Sequence, residues 1–268
     1  MEKTFDKIFL YYLLLIVGFV LFYISNYSFD DNVPTCNNFV INIYLYLALS
    51  VCLIGLFAYL INYSLFKKTS NLYKPLEDAL IYKSLGGPYY LLSLLLTFVF
   101  VILISISQAF GNENIFYNHL IWLFFLFFIA YTLYPRFKSI YSYQFVDDAI
   151  LITSVIFVAM TYFYYMFSDF FEQYNSAIGM GLLIGLIAII IVELLHFLFF
   201  MSNRSLSFMK FMSYIVIILF SMFVSYDTFE MVKREEQCTS LPNYPKLSID
   251  FFLDLLNLFS RVLFLRSK

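Results

Sequence analysis

Long apolar runs follow one another along this chain with little between them. Seven lack an internal Lys or Arg and approach the roughly 20 apolar residues a helix needs to cross about 30 Å of hydrocarbon. They cover about 8–25, 39–66, 88–110, 118–134, 149–168, 177–201 and 211–227. Phe and Leu dominate them, Tyr gathers towards their ends, and Pro88 and Pro135 stand at boundaries, the pattern of spanning helices. No small-x-small cleavage signal follows the first run, so it reads as an uncleaved span and not as a signal peptide. The one sizeable polar insert, 67–88, is too short to be a domain.

An eighth run closes the chain in "SIDFFLDLLNLFSRVLFLRSK", and it is apolar from Ile249 to Leu265 except for Asp250, Asp254, Asn257 and Arg261. These four fall at i, i+4, i+7 and i+11, one stripe on one helical face. A carboxylate facing lipid costs about 2.5–3.5 kcal/mol on insertion scales, so the stripe should face protein or water. The alternative is an interfacial helix lying flat on the membrane, but that geometry favours a broad basic face, whereas this stripe is narrow and mostly acidic. The preceding run supplies a partner, because Asp227 ends an otherwise uncharged segment, "SYIVIILFSMFVSYDTF". Two carboxylates close together in a low dielectric resist ionising together, and such a pair shares a proton and offers oxygen ligands to a cation. A solvated Asp227 at headgroup level is the simpler reading of the same residue.

Composition supports the membrane assignment. The chain is 62% hydrophobic and 13% charged, and a soluble domain of that balance could not cover its surface with polar groups. A net charge of -2 and the lack of a large basic patch argue against nucleic-acid binding. Lys and Arg concentrate at the N-terminus, in 67–88, at Arg136 and Lys138, and at Arg204 and Lys210, while 26–38, 111–118 and 169–176 have none. That alternation puts the N-terminus in the cytosol and 26–38 and 228–248 outside, although Lys233, Arg234 and Lys246 break the pattern.

"FSMFVSYDT" followed after a loop by "FFLDLLNLFSRVLFL" resembles the signature of the transmembrane Bax inhibitor motif family. The stretches 149–165 and 41–61 are similar to that family's fourth and first spans, so the resemblance covers about 39–265. It implies an all-α polytopic bundle of seven helices over 39–268 with the last, semi-polar helix central; residues 1–38 add an extra N-terminal transmembrane helix. It further implies a pH-sensitive calcium or cation leak, modulation of cell death, and Asp227 and Asp254 as the gating and tentative calcium-binding pair. Asp250, Asn257 and Arg261 are the supporting polar groups. The family's arginine on the second core helix has no counterpart here, which leaves Arg261 as a possible source of positive charge. The family's usual orientation would put 26–38 and 228–248 in the cytosol, opposite to the charge count.

Six spans separate those two loops, so Cys36 and Cys238 share a side under either orientation. They can form a disulfide if that side is lumenal and stay free thiols if it is cytosolic. Cys52 lies inside a span and reads as a small buried residue. "VELLHF" puts Glu193 and His196 on one face of a span, an intramembrane polar pair or proton-relay element; a metal site there would need ligands from other helices. Gly181 and Gly185 form a small-xxx-small motif for close helix approach, and Asp147 and Asp148 read as an N-terminal cap. No nucleophile elbow, phosphate loop or metalloprotease motif is present, so no enzyme and no cofactor beyond calcium is expected. The expected partners are the lipid bilayer, calcium or protons, and other membrane proteins. The location is an endomembrane in a eukaryote or virus, or the plasma membrane of a bacterium. Two rival functions share these residues: a proton-coupled secondary transporter, and a non-conducting interaction protein.

Overall fold

The structure, a computed structural model, describes residues 2–31, 33–66, 95–100, 102–103, 115–140, 143–199, 206–238 and 241–267. The 67–88 insert and most of the 88–110 run lie outside the described residues; 95–100 are helical. The described elements are α1 (Glu2–Tyr27), β1 (Phe29–Asp30), β2 (Val33–Pro34), α2 (Phe39–Phe66), α3 (Ile115–Ile140), α4 (Tyr143–Met166), α5 (Ser168–Phe199), α6 (Leu206–Glu236) and α7 (Tyr244–Ser267). Six helices, α1 to α6, are long and apolar enough to cross a bilayer, and the stripe on α7 makes it the exception. This is an all-α polytopic membrane protein. The chain forms two compact units, Met1–Ile140 with Cys238–Ile249, and Tyr141–Gln237 with Asp250–Lys268.

In the first unit, α1 buries Leu13, Val17, Val20 and Ile24, spaced at i, i+4, i+7 and i+11, and packs on α2. Its other face exposes Tyr11, Leu15, Phe19 and Phe22, as a lipid-facing surface does. Helix α2 in turn packs on α3, with the Phe57 and Phe127 rings 5.6 Å apart. The 26–38 connection contains a short antiparallel hairpin, β1 with β2, whose turn places Asp31 at a φ of 47°. Asx side chains tolerate that left-handed backbone better than branched ones.

A lone amide organises the start of α2. Asn42 is fully buried, and its Nδ2 donates to the carbonyls of Asn37 (2.9 Å) and Tyr27 (3.1 Å) and to the Tyr244 hydroxyl (3.1 Å). Its Oδ1 accepts from the Ser28 hydroxyl at 2.9 Å, and the Tyr244 hydroxyl donates to the Thr35 carbonyl. The Tyr244 ring stacks on Tyr46, whose hydroxyl lies 2.7 Å from His119 Nε2. His119 sits inside α3, with Nδ1 2.8 Å from the Ile115 carbonyl. A disulfide joins Cys36 to Cys238, their Cα atoms 5.9 Å apart. The beginning of α7 is thus tied to the α1–α2 connection by a covalent bond and by neutral hydrogen bonds.

In the second unit, α4 packs on α6 and α5 on α6. Ser225 donates to the Met160 carbonyl (2.7 Å), and Phe229 meets Tyr164 (6.1 Å between centroids), so α4 and α6 run parallel in register. Helix α5 kinks at Tyr174 (φ -113°, ψ 15°). Close approach between α5 and α6 falls at Gly179, where a Cβ would meet Tyr226 Oη at 2.6 Å, and at Gly185, 3.0 Å from Leu219 Cδ1. Gly181 faces open space, so the expected small-residue motif is shifted, because the α5 face that meets α6 carries Gly179 instead.

Replacing Asn42 with Ala should lower stability by about 2–4 kcal/mol in detergent denaturation, because several buried groups lose partners at once. Asn26→Ala removes only an exposed bond to the Phe22 carbonyl and should change little. Non-reducing electrophoresis should show a mobility shift on reduction that disappears in Cys36→Ser; unchanged mobility would contradict the bond.

Candidate functional site

Helix α7 presents its stripe to a different partner at each turn. Asp254 is 5% exposed and lies within hydrogen-bonding reach of half-buried Asp227 on α6. Asp227 does not end its helix. Helix α6 continues to Glu236, and the neighbours that bracket Asp227, Ser225 and Phe229, are both anchored on α4. That double anchor fixes the height and rotation of the Asp227 carboxyl. Asp254 Oδ2 is buried with no hydrogen-bond partner among the described residues.

Asp250 lies one turn before Asp254, is exposed, and adds its negative charge to the field at both other aspartates. Glu230 and Arg234, further along α6, act on Asp227 with opposite signs. Asn257 turns its Nδ2 back to the Leu253 carbonyl (2.8 Å), so its amide is satisfied within α7. The carboxylates therefore gather at one place, and the amide stays local.

Arg261 does not serve the aspartates. Its guanidinium grips Glu193 of α5, with Nη2 2.6 Å from Oε1 and 2.8 Å from Oε2. Both side chains are half-buried. The physical reason is the position of Glu193, a single carboxylate on an otherwise apolar stretch of α5, which needs a cation at its own depth. His196, the neighbour of Glu193 on α5, stacks its ring on Phe208 of α6 at 4.2 Å. Nearer the chain end, Arg266 pairs with Asp148 at 2.6 Å, so Asp148 lies inside α4 as an ion-pair partner and does not cap that helix. This exposed pair is worth little by itself but marks the level of α7 against α4.

Among the described residues no group of three or more His, Cys, Asp or Glu could hold a metal ion. The two aspartates alone make an incomplete cation cage, suited to weak or transient binding. What the arrangement does hold is a pair of acidic side chains facing each other inside a membrane helix bundle, near a compensated ion pair.

Fold and site together define a multi-pass membrane protein whose polar last helix meets acidic partners on its neighbours. A family model described as "Inhibitor of apoptosis-promoting Bax1" matches residues 36–266, and the chain belongs to that Bax inhibitor family. No curated protein matches the chain by sequence.

Removing one member of the Arg261–Glu193 pair leaves the other uncompensated at the membrane. Arg261→Leu or Glu193→Leu alone should destabilise the protein by about 2.5–3.5 kcal/mol, the cost of a lone intramembrane charge. The double Leu variant should recover most of that loss, as apolar replacements of whole ion pairs do. Thermal denaturation of the three variants in one detergent would show it, and additive losses would contradict the pairing.

Proposed function

We propose that this protein is a pH-sensitive cation leak of the Bax-inhibitor type, with calcium as cargo, acting in calcium homeostasis and the control of cell death. The observation that carries the reading is the Asp227–Asp254 pair with its unpartnered Oδ2. Two unit charges about 4 Å apart repel by about 4 kcal/mol at an effective dielectric of about 20, so one shared proton is the stable state of such a pair. With one proton, a short charge-assisted hydrogen bond joins α6 to α7. Without it the carboxylates repel; with two, the bond is neutral and weaker. The latch is therefore tightest when singly protonated, and the leak rises as pH moves away from that state in either direction. Asp250, Glu230 and Arg234 are charged groups close enough to act on the pair, so all three tune the setting.

The Cys36–Cys238 bond supports an oxidising side for 26–38 and for the loop before α7, consistent with a cytosolic N-terminus. The membrane that fits is an endomembrane in a eukaryote or virus, or a bacterial plasma membrane. Partners on this reading are lipid, calcium or protons, and other membrane proteins.

Calcium flux from proteoliposomes between pH 5 and pH 8 tests the proposal. Wild type should show a pH-dependent leak with a minimum. In Asp254→Asn and in Asp227→Asn the amide donates to the remaining carboxylate with no titrating proton, so the leak should stay low and nearly flat with pH. A pH dependence that survives in both variants would overturn the latch, and no flux at any pH would favour a non-conducting interaction protein.

A further inference from the structure

Helix α4 turns one face inward. Ala149, Thr153, Phe157 and Thr161 follow one another at four-residue spacing; the first three are buried and Thr161 is half-buried, while Leu151, Val155, Val158 and Tyr162 are exposed to the lipid side. A hydroxyl on an apolar helix ordinarily satisfies itself on the carbonyl four residues back. Ser50, Thr132, Ser213, Ser221 and Thr228 all do so here. Thr153 and Thr161 do not. Each Oγ1 is buried with no hydrogen-bond partner among the described residues.

Another buried oxygen of this kind belongs to Asp254. Phe157, midway between the two threonines, meets Phe251 of α7 edge-on at 6.0 Å. Phe251 and Asp254 are three residues apart and share a face of α7. Thr153 and Thr161 stand one turn to either side of Phe157, about 6 Å along the axis in each direction. The Asp148–Arg266 bridge shows that α4 and α7 run antiparallel along this seam. Three orphaned oxygens, two of them on residues at least nine-tenths buried, therefore flank one aromatic contact.

Buried oxygens without protein partners are sites for ordered water or for a cation carrying part of its hydration shell. We propose that the α4–α7 seam is the hydrated route by which the permeant cation reaches the aspartate pair. Thr153 and Thr161 supply neutral hydroxyl oxygens on either side, and Phe157 with Phe251 forms the constriction between them. This rests on the leak proposed above and adds its lining. Neutral hydroxyls with one carboxylate suit a hard cation held weakly enough to leave, and an aromatic pinch can close such a path by expelling water.

Single cysteines at Thr153 and Thr161, each in a Cys52→Ser background of the full reconstituted chain, test it. The probe is a membrane-impermeant cationic methanethiosulfonate, with its anionic counterpart for comparison. Thiols react as thiolates, which form in water and not in hydrocarbon, so both positions should react at least about tenfold faster than a cysteine at lipid-facing Val158. The cationic reagent should outpace the anionic one. Thr153→Val and Thr161→Val should reduce calcium flux severalfold, and the corresponding Ser variants should retain it. Rates no faster than at Val158 overturn the hydrated seam, and if flux persists the leak stands with another route. Labelling at both positions without flux in wild type supports the seam and overturns the leak.

Discussion

Hydrocarbon offers a charged side chain no partner, and three charges along α7 are matched from neighbouring helices. Asp254 meets Asp227 on α6, Arg261 meets Glu193 on α5, and Arg266 meets Asp148 on α4. These matches, spread over α4, α5 and α6, fix both the rotation and the depth of the last helix. A one-residue rotation turns the stripe by about 100° and breaks all of them together. The cost of that rotation gives the polar groups a structural role whatever else they do.

The matches differ in kind, and the difference carries the functional argument. The two ion pairs join opposite charges, which attract. The aspartate pair joins two acidic groups, and on the proposed function it holds through a shared proton. The first unit offers a contrast: Asn42, Ser28, Tyr244 and the disulfide make a neutral anchor, with no titrating carboxylate, at the start of α7. On the proposed function, proton sensitivity belongs to the aspartate pair and not to this neutral anchor.

Much of this was legible in the sequence, for reasons specific to each residue. The stripe at 250, 254, 257 and 261 follows from helical spacing, and Asp227 was the nearest lone carboxylate on another span. The end of α6 was not legible, because hydropathy reads the depth of hydrocarbon while the helix runs on through Thr228 to Glu236, a stretch where Glu, Lys and Arg, good helix formers, lower the hydropathy. Nor was the Glu193–Arg261 match, since helical spacing relates residues within one helix and says nothing between helices. A sign-matching argument over lone intramembrane charges would have found it. Asn42 was missed although an amide within "FVINIYLYLAL" is the same kind of signal as Glu193. The unsatisfied threonines of α4 were invisible, because sequence gives the residue and not the direction of its hydroxyl.

The central claim is that Asp227 and Asp254 share one proton inside the membrane. Infrared difference spectroscopy of the reconstituted protein reads this directly, through the C=O stretch of a protonated carboxylic acid. The account predicts such a band at neutral pH in wild type, absent from both Asp227→Asn and Asp254→Asn. A wild-type spectrum without the band, or a band that persists in both variants, would contradict it.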